Sequence, residues 1–175
     1  MILKKTGHKY LLSLYHRVDD FLSDEISEHE LPDTVVDFCT VVEKILKIKL
    51  HNKNPFLVFD ITLVKDNNVL SIIALKKEKD IPTSNFRNIL DRFKIVFKDN
   101  LTPSEAQALL GIYKVRSHLK HSHNPDNHID FNADDISKKM GMVWGKISKI
   151  AISLFGEELN KTKKPKKKYT EKEFE

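Results

Sequence analysis

Between Asn132 and Gly156 the side chains Ile136, Met140, Val143, Ile147, Ile150 and Leu154 return at steps of three and four residues. That spacing puts six apolar groups on one stripe of an α-helix and leaves the intervening Lys, Asp and Ser residues on the other side. A stripe of this length must be covered by something equally long. The rest of the chain offers helices to do it. Leu11, Leu14, Tyr15, Val18, Phe21 and Leu22 predict a helix over 8–27. Val35, Cys39, Val42, Leu46 and Leu50 predict a second over 33–50, opened by Pro32 and Asp33. Phe86, Ile89, Leu90, Phe93, Val96 and Phe97 give a third, over 84–98, with a broad apolar face.

The fourth helix has the clearest start. Thr102-Pro103-Ser104-Glu105 reads as a capping box with proline at the first helical position. The helix should run to Ser122 and stop before Asn124-Pro125, because a residue preceding proline is biased away from the α conformation. The fifth starts at Asn132-Ala133-Asp134-Asp135, with Gly156 as its expected stop. Only 5 Gly and 6 Pro occur in 175 residues, which favours few, long elements. The expected fold class is mainly α, a bundle of four to five helices over 8–156. One segment departs from the pattern. Phe56–Val64 and Val69–Leu75 flank the turn-like Lys65-Asp66-Asn67-Asn68, which predicts a small β-hairpin over 56–75. Apolar runs this short are equally compatible with buried helix. Residues 157–175, with six lysines and a proline between positions 161 and 168, are expected to form a disordered basic tail.

The chain carries a formal charge of +5, a mild bias toward polyanions. Its single cysteine, Cys39, excludes an intrachain disulfide and a cysteine-built zinc site. Its apolar neighbours predict a buried structural thiol. Neither a signal-peptide pattern at the N-terminus nor a run of about 18 apolar residues is visible. A cytoplasmic protein with no membrane segment is expected.

Chemistry concentrates at the end of the fourth helix, in Ile112-Tyr113-Lys114-Val115-Arg116-Ser117-His118-Leu119-Lys120-His121-Ser122-His123 and on to His128. Four of the eight histidines lie there, and imidazole is the side chain that titrates near neutrality. On a helical wheel Ala108, Ile112, Val115 and Leu119 share a sector of roughly 60° and form the expected core stripe. His121 points away from it. Leu109, Leu110 and Tyr113 then make a second apolar strip leading to Arg116, Ser117 and His121. An exposed strip of that kind predicts self-association, with two copies of the helix packed across a two-fold axis. Arg116 and His121 are about 140° apart on an ideal helix, so two facing copies would close a site around one phosphate better than one copy could.

With Arg116-Ser117-x-x-x-His121 near the C-terminal end of its penultimate long helix, the chain resembles a HEPN domain over residues 8–156. The resemblance implies a four- or five-helix bundle. Many HEPN members are metal-independent endoribonucleases of toxin, phage-defence and CRISPR effector systems, and they dimerise so that two Arg-x4-6-His motifs form one composite site. By the same resemblance Arg116 and His121 are the catalytic arginine and histidine, and Ser117, at the polar position after the arginine, is a third catalytic residue that assists them. It further implies RNA as substrate, a homodimer, and an antitoxin or companion effector protein as partner. Position 123 is His where antitoxin-silenced members often carry an adenylylated Tyr.

The residues support RNA chemistry in their own right. RNA supplies its own nucleophile, the 2′-hydroxyl. A histidine can act as base or acid, and a permanently charged arginine can hold the phosphate bidentately. Lys114, Lys120, His118 and His123 are expected RNA contacts, and Leu109, Leu110 and Tyr113 the dimer interface. No cofactor and no metal is expected. Two alternatives stay open. One is a non-catalytic HEPN-like module that binds RNA or a nucleotide, or regulates a partner. The other is a metal site built from His118, His121, His123 and His128 with Asp126 and Asp130. Trp144 is expected in the core.

Overall fold

The computed structural model describes residues 5–23, 28–60, 83–98, 100–121 and 132–162. Five α-helices account for most of them: α1 (Lys5–Ser23), α2 (Leu31–Lys53), α3 (Phe86–Val96), α4 (Pro103–His121) and α5 (Ala133–Thr162). Short 3-10 turns, Glu28–Glu30 and Pro55–Val58, flank α2. No strand occurs among the described residues, and the protein is a mainly α helical bundle.

α2 is the central element, packing against α1, α3, α4 and α5. Its sequence explains this. Val35, Phe38, Val41, Val42, Ile45, Leu46 and Leu50 are all fully or almost fully buried, and together they cover about half of the helix circumference. No residue from Thr34 to His51 is exposed, so the polar half of the helix is partly covered as well. Around it, Leu11, Leu14 and Val18 of α1, Ile89, Leu90 and Phe93 of α3, and Met140, Val143 and Ile147 of α5 close the core. Each such burial is worth about 1.5–3 kcal/mol relative to exposure.

The helix starts follow the local code. Thr102 Oγ1 accepts from the Glu105 amide at 3.3 Å, and the Thr102 amide donates to Glu105 Oε2 at 2.7 Å. The expected capping box is therefore made in both directions. Asn85 and Asn132 cap α3 and α5, accepting from the amides of Asn88 and Asp135 at 3.0 Å each.

Three expectations are corrected. The part of the 56–75 hairpin that is described is not a strand: Phe56, Leu57 and Val58 lie in the 3-10 turn that Pro55 starts and the Asn54 side chain caps. Only Phe59 pairs, in an isolated antiparallel bridge with Thr83. The remainder, from residue 61 on, lies outside the described residues. The two ends of that segment meet at a well-tied base. Arg92 Nη1 donates to the carbonyls of Leu57 and Phe59 at 3.0 Å each, and Ser84 Oγ donates to the Phe59 carbonyl at 3.1 Å. Second, Gly156 does not end α5. The helix kinks at Phe155 (φ −137°, ψ 15°) and continues to Thr162, so residues 157–162 belong to it and not to a tail. Leu159, beyond the kink, is buried, and His8 of α1 packs its ring on Phe155 and pairs with Glu158 at 3.1 Å. Third, Leu109 is no surface residue. It is 2% exposed, in the core with Ala106, Ala108 and Ile112, because α4 packs on both α2 and α5 and so buries two faces. Val115 and Leu119, read as core, are only partly buried.

Candidate functional site

The polar centre of the molecule forms where α2 meets α4. Glu43 of α2 lies four residues before Lys47, and their side chains join at 2.7 Å. Lys47 also donates to Thr83 Oγ1 at 3.1 Å, tying α2 to the chain entering α3. From α4, the Tyr113 hydroxyl donates to Glu43 Oε2 at 3.1 Å, and Arg116 Nη1 pairs with the same oxygen at 3.7 Å. The Tyr113 ring stacks on Phe86, the first residue of α3, with centroids 4.2 Å apart and planes within 7°. The Arg116 guanidinium lies 4.8 Å from the Tyr113 centroid, a cation–π contact. Glu43 thus gathers two cations and a phenol, Lys47 from its own helix and Tyr113 and Arg116 from α4.

Burial raises the Tyr113 pKa above the ordinary value. The negative charge of Glu43 adds to this, and Arg116 partly opposes it. The phenol therefore stays protonated and acts as the hydrogen-bond donor. Arg116 is 15% exposed, and its Nε is buried without a hydrogen bond among the described residues. Its guanidinium is held by Glu43 and Tyr113. Arg116 lines a hollow of about 320 Å³ together with Thr40, Lys44, Lys47 and Ile48. A second hollow, of about 610 Å³, lies against Phe86, Leu110, Gly111, Tyr113 and Ser117. Glu43, Lys47 and Thr83 line both and form the wall between them.

The expected site residues distribute as follows. Arg116 lines the smaller hollow, whereas Lys114 and Ser117 line the larger one, although all three lie within one turn of α4. His118 is exposed on the same stretch of α4. His121 is the last residue of α4, and Lys120 precedes it; their side chains, like His123, lie outside the described residues. Of the expected dimer strip, Leu109 is buried in the core, and Leu110 and Tyr113 are partly buried walls of the larger hollow. They do not form a free apolar face. Of the alternative metal cluster only the His118 side chain is described, and among the described residues no group of His, Cys, Asp and Glu is arranged to hold a metal ion. Trp144 is in the core, and no described helix is long and apolar enough to cross a membrane.

Sequence reasoning missed Glu43, Lys44 and Lys47. A signal for them exists. Charges at 43, 44 and 47 interrupt a helix whose other positions, from Val41 to Ile48, are apolar. In a helix buried nearly all round, such residues need partners from elsewhere in the fold. No family model, curated protein or solved structure matches the chain.

Proposed function

We propose that the protein acts on RNA at the C-terminal half of α4, as a metal-independent endoribonuclease of HEPN type. One observation carries the reading. Arg116, the arginine of the Arg-x4-His motif, is oriented by Glu43 and Tyr113 and lines a hollow together with Lys44 and Lys47. Three cations around one carboxylate make a site for an anion, and a guanidinium in a fixed orientation suits phosphate.

In the proposed reaction the RNA 2′-oxygen attacks the adjacent phosphorus as a base removes its proton. The P–O5′ bond breaks, the 5′-oxygen takes a proton from an acid, and a 2′,3′-cyclic phosphate remains. His121 serves as base or acid, and Arg116 stabilises the charge that builds on the phosphorane oxygens. Ser117, Lys114, His118, Lys120 and His123 contribute RNA contacts. The second acid–base group comes from a second copy, as the HEPN resemblance implies. The surface available for that pairing is the exposed part of α4 around Lys114, Ser117 and His118, not the buried Leu109. Toxin or defence activity in the cytoplasm, with an antitoxin or companion protein as partner, belongs to the same proposal.

Purified protein, Arg116→Ala and His121→Ala are to be compared on mixed tRNA and mRNA in EDTA. Cleavage by wild type alone is the expected outcome. A non-catalytic module that binds RNA or a nucleotide is the second reading, and the pairing of Arg116 with Glu43 favours it, since that guanidinium is already partly engaged. RNA binding with no cleavage by any of the three proteins would select it.

A further inference from the structure

Of the larger hollow the proposed reaction uses only Lys114 and Ser117, and the hollow adjoins the phosphate site at Glu43, Lys47 and Thr83. Its volume, about 610 Å³, falls in the range that encloses small organic ligands. Lys47, Arg87 and Lys114 line it against the single carboxylate Glu43, so it favours an anion. Asn85 and Gln107 add side-chain amides, each presenting donors and an acceptor. The Asn85 oxygen already accepts the Asn88 amide, which leaves its NH2 group for a ligand. The apolar part of the wall is Phe86, Leu110, Gly111 and the ring of Tyr113.

Gly111 is the informative residue. It sits in the interior of α4, where glycine is a poorer helix former than alanine. A Cβ added there would meet nothing within 4 Å, so close packing does not require glycine. Gly141 and Gly145 of α5 are equally unobstructed, but they face solvent; Gly111 alone of the three lines the cavity. A long side chain at 111 would find room only by taking space along this wall of the hollow.

We propose that this cavity is the base pocket of the RNA site: it takes one unpaired base of a single-stranded RNA whose neighbouring phosphate lies at Arg116. The inference rests on the proposed action on RNA. Tyr113 already has Phe86 stacked on it and Arg116 over it, so the base is not read by stacking on that ring. It lies on Leu110 and Gly111 and is read along its edge by Asn85 and Gln107, while Lys114 and Arg87 hold the flanking phosphates. Edge readout by amides discriminates between bases, so the pocket confers a base preference. A duplex, whose bases are stacked and paired, does not enter.

The test compares full-length wild type, Gly111→Leu and Gly145→Leu, all confirmed folded by circular dichroism and thermal melting. Binding is read by fluorescence anisotropy with short labelled homopolymers of A, C, G and U and with a labelled RNA duplex. The expected result is that wild type and Gly145→Leu bind one homopolymer at least about tenfold better than the weakest, and that Gly111→Leu loses this preference while binding the duplex as before. Wild-type affinity and preference in Gly111→Leu would overturn the pocket and leave the action on RNA standing. Absence of binding to every RNA by wild type would overturn both.

Discussion

Trp144 and Tyr113 each carry a polar atom from one helix to a carboxylate on another. Trp144 Nε1 donates to Asp19 of α1 at 2.9 Å, and the Tyr113 hydroxyl donates to Glu43 of α2 at 3.1 Å. The surroundings differ. Trp144 is packed against Tyr15 and Phe38, with ring centroids 5.1 and 5.7 Å away, and adjoins neither hollow. Its bond satisfies an indole N–H that the core would otherwise strand. Glu43 receives Tyr113, Lys47 and Arg116 together, and it lines two hollows whose other charged lining residues are all cations. The first contact is a structural tie. The second holds more charge than structure alone requires, and it holds that charge beside open space.

The difference can be broken experimentally, most forcefully at the structural end. Trp144→Ala should destabilise the protein by about 3–5 kcal/mol, the usual range for removing a buried Trp. Urea unfolding measures it, and RNA affinity of the folded fraction should not change. Glu43→Ala should cost less, about 1–3 kcal/mol, since it strands Tyr113 and two cations that water can partly reach. Its functional signature should be opposite in kind. With one carboxylate fewer among the cations, RNA binding tightens, while cleavage slows because Arg116 loses its orientation. Equal RNA affinity in Glu43→Ala and wild type would reduce this centre to a second structural tie.

Tyr113→Phe keeps the stack on Phe86 and removes one hydrogen bond, an expected loss of about 0.5–1.5 kcal/mol. It also carries a pH signature. Burial, and next the charge of Glu43, raise the Tyr113 pKa above its ordinary 10.0. The folded state then holds that proton more tightly than the unfolded chain. Its contribution is complete below about pH 10 and is lost as pH rises through the raised value. Chemical denaturation midpoints followed from neutral to strongly alkaline pH should fall less steeply in Tyr113→Phe than in wild type. Part of the fall should persist, because burial raises Tyr15 as well. The smallest effect is expected at Gly111→Ala, a gain of up to about 1 kcal/mol from helix propensity, visible as a small rise in melting temperature.

The same contrast explains what the sequence disclosed. Tyr15, Trp144 and the stripes of α1, α2 and α5 were legible because each helix turns one periodic set of side chains inward. The capping box at Thr102 was legible because its partners are three residues apart. α4 was misread because a single-stripe wheel assumes one neighbour, and α4 has two, which is why Leu109 is buried and Val115 is not fully so. Pro55 and Asn54 set a 3-10 turn where β-branched and aromatic residues suggested a strand. Arg116 was legible as a motif residue, but its partner was not. Glu43 is far from Arg116 in sequence, and only the packing of α2 on α4 brings the two together.

The central claim, that the oriented guanidinium of Arg116 acts on RNA phosphate, is tested most directly by one change that keeps its charge. Arg116→Lys retains a cation and loses the planar fork that grips phosphate. Wild type, Arg116→Lys and Trp144→Phe are incubated with one single-stranded RNA in EDTA, and the 2′,3′-cyclic phosphate ends are quantified over time. The account predicts cleavage by wild type and Trp144→Phe, and at least about a tenfold slower release by Arg116→Lys. Equal rates in all three proteins, or no cyclic ends from wild type, would contradict it.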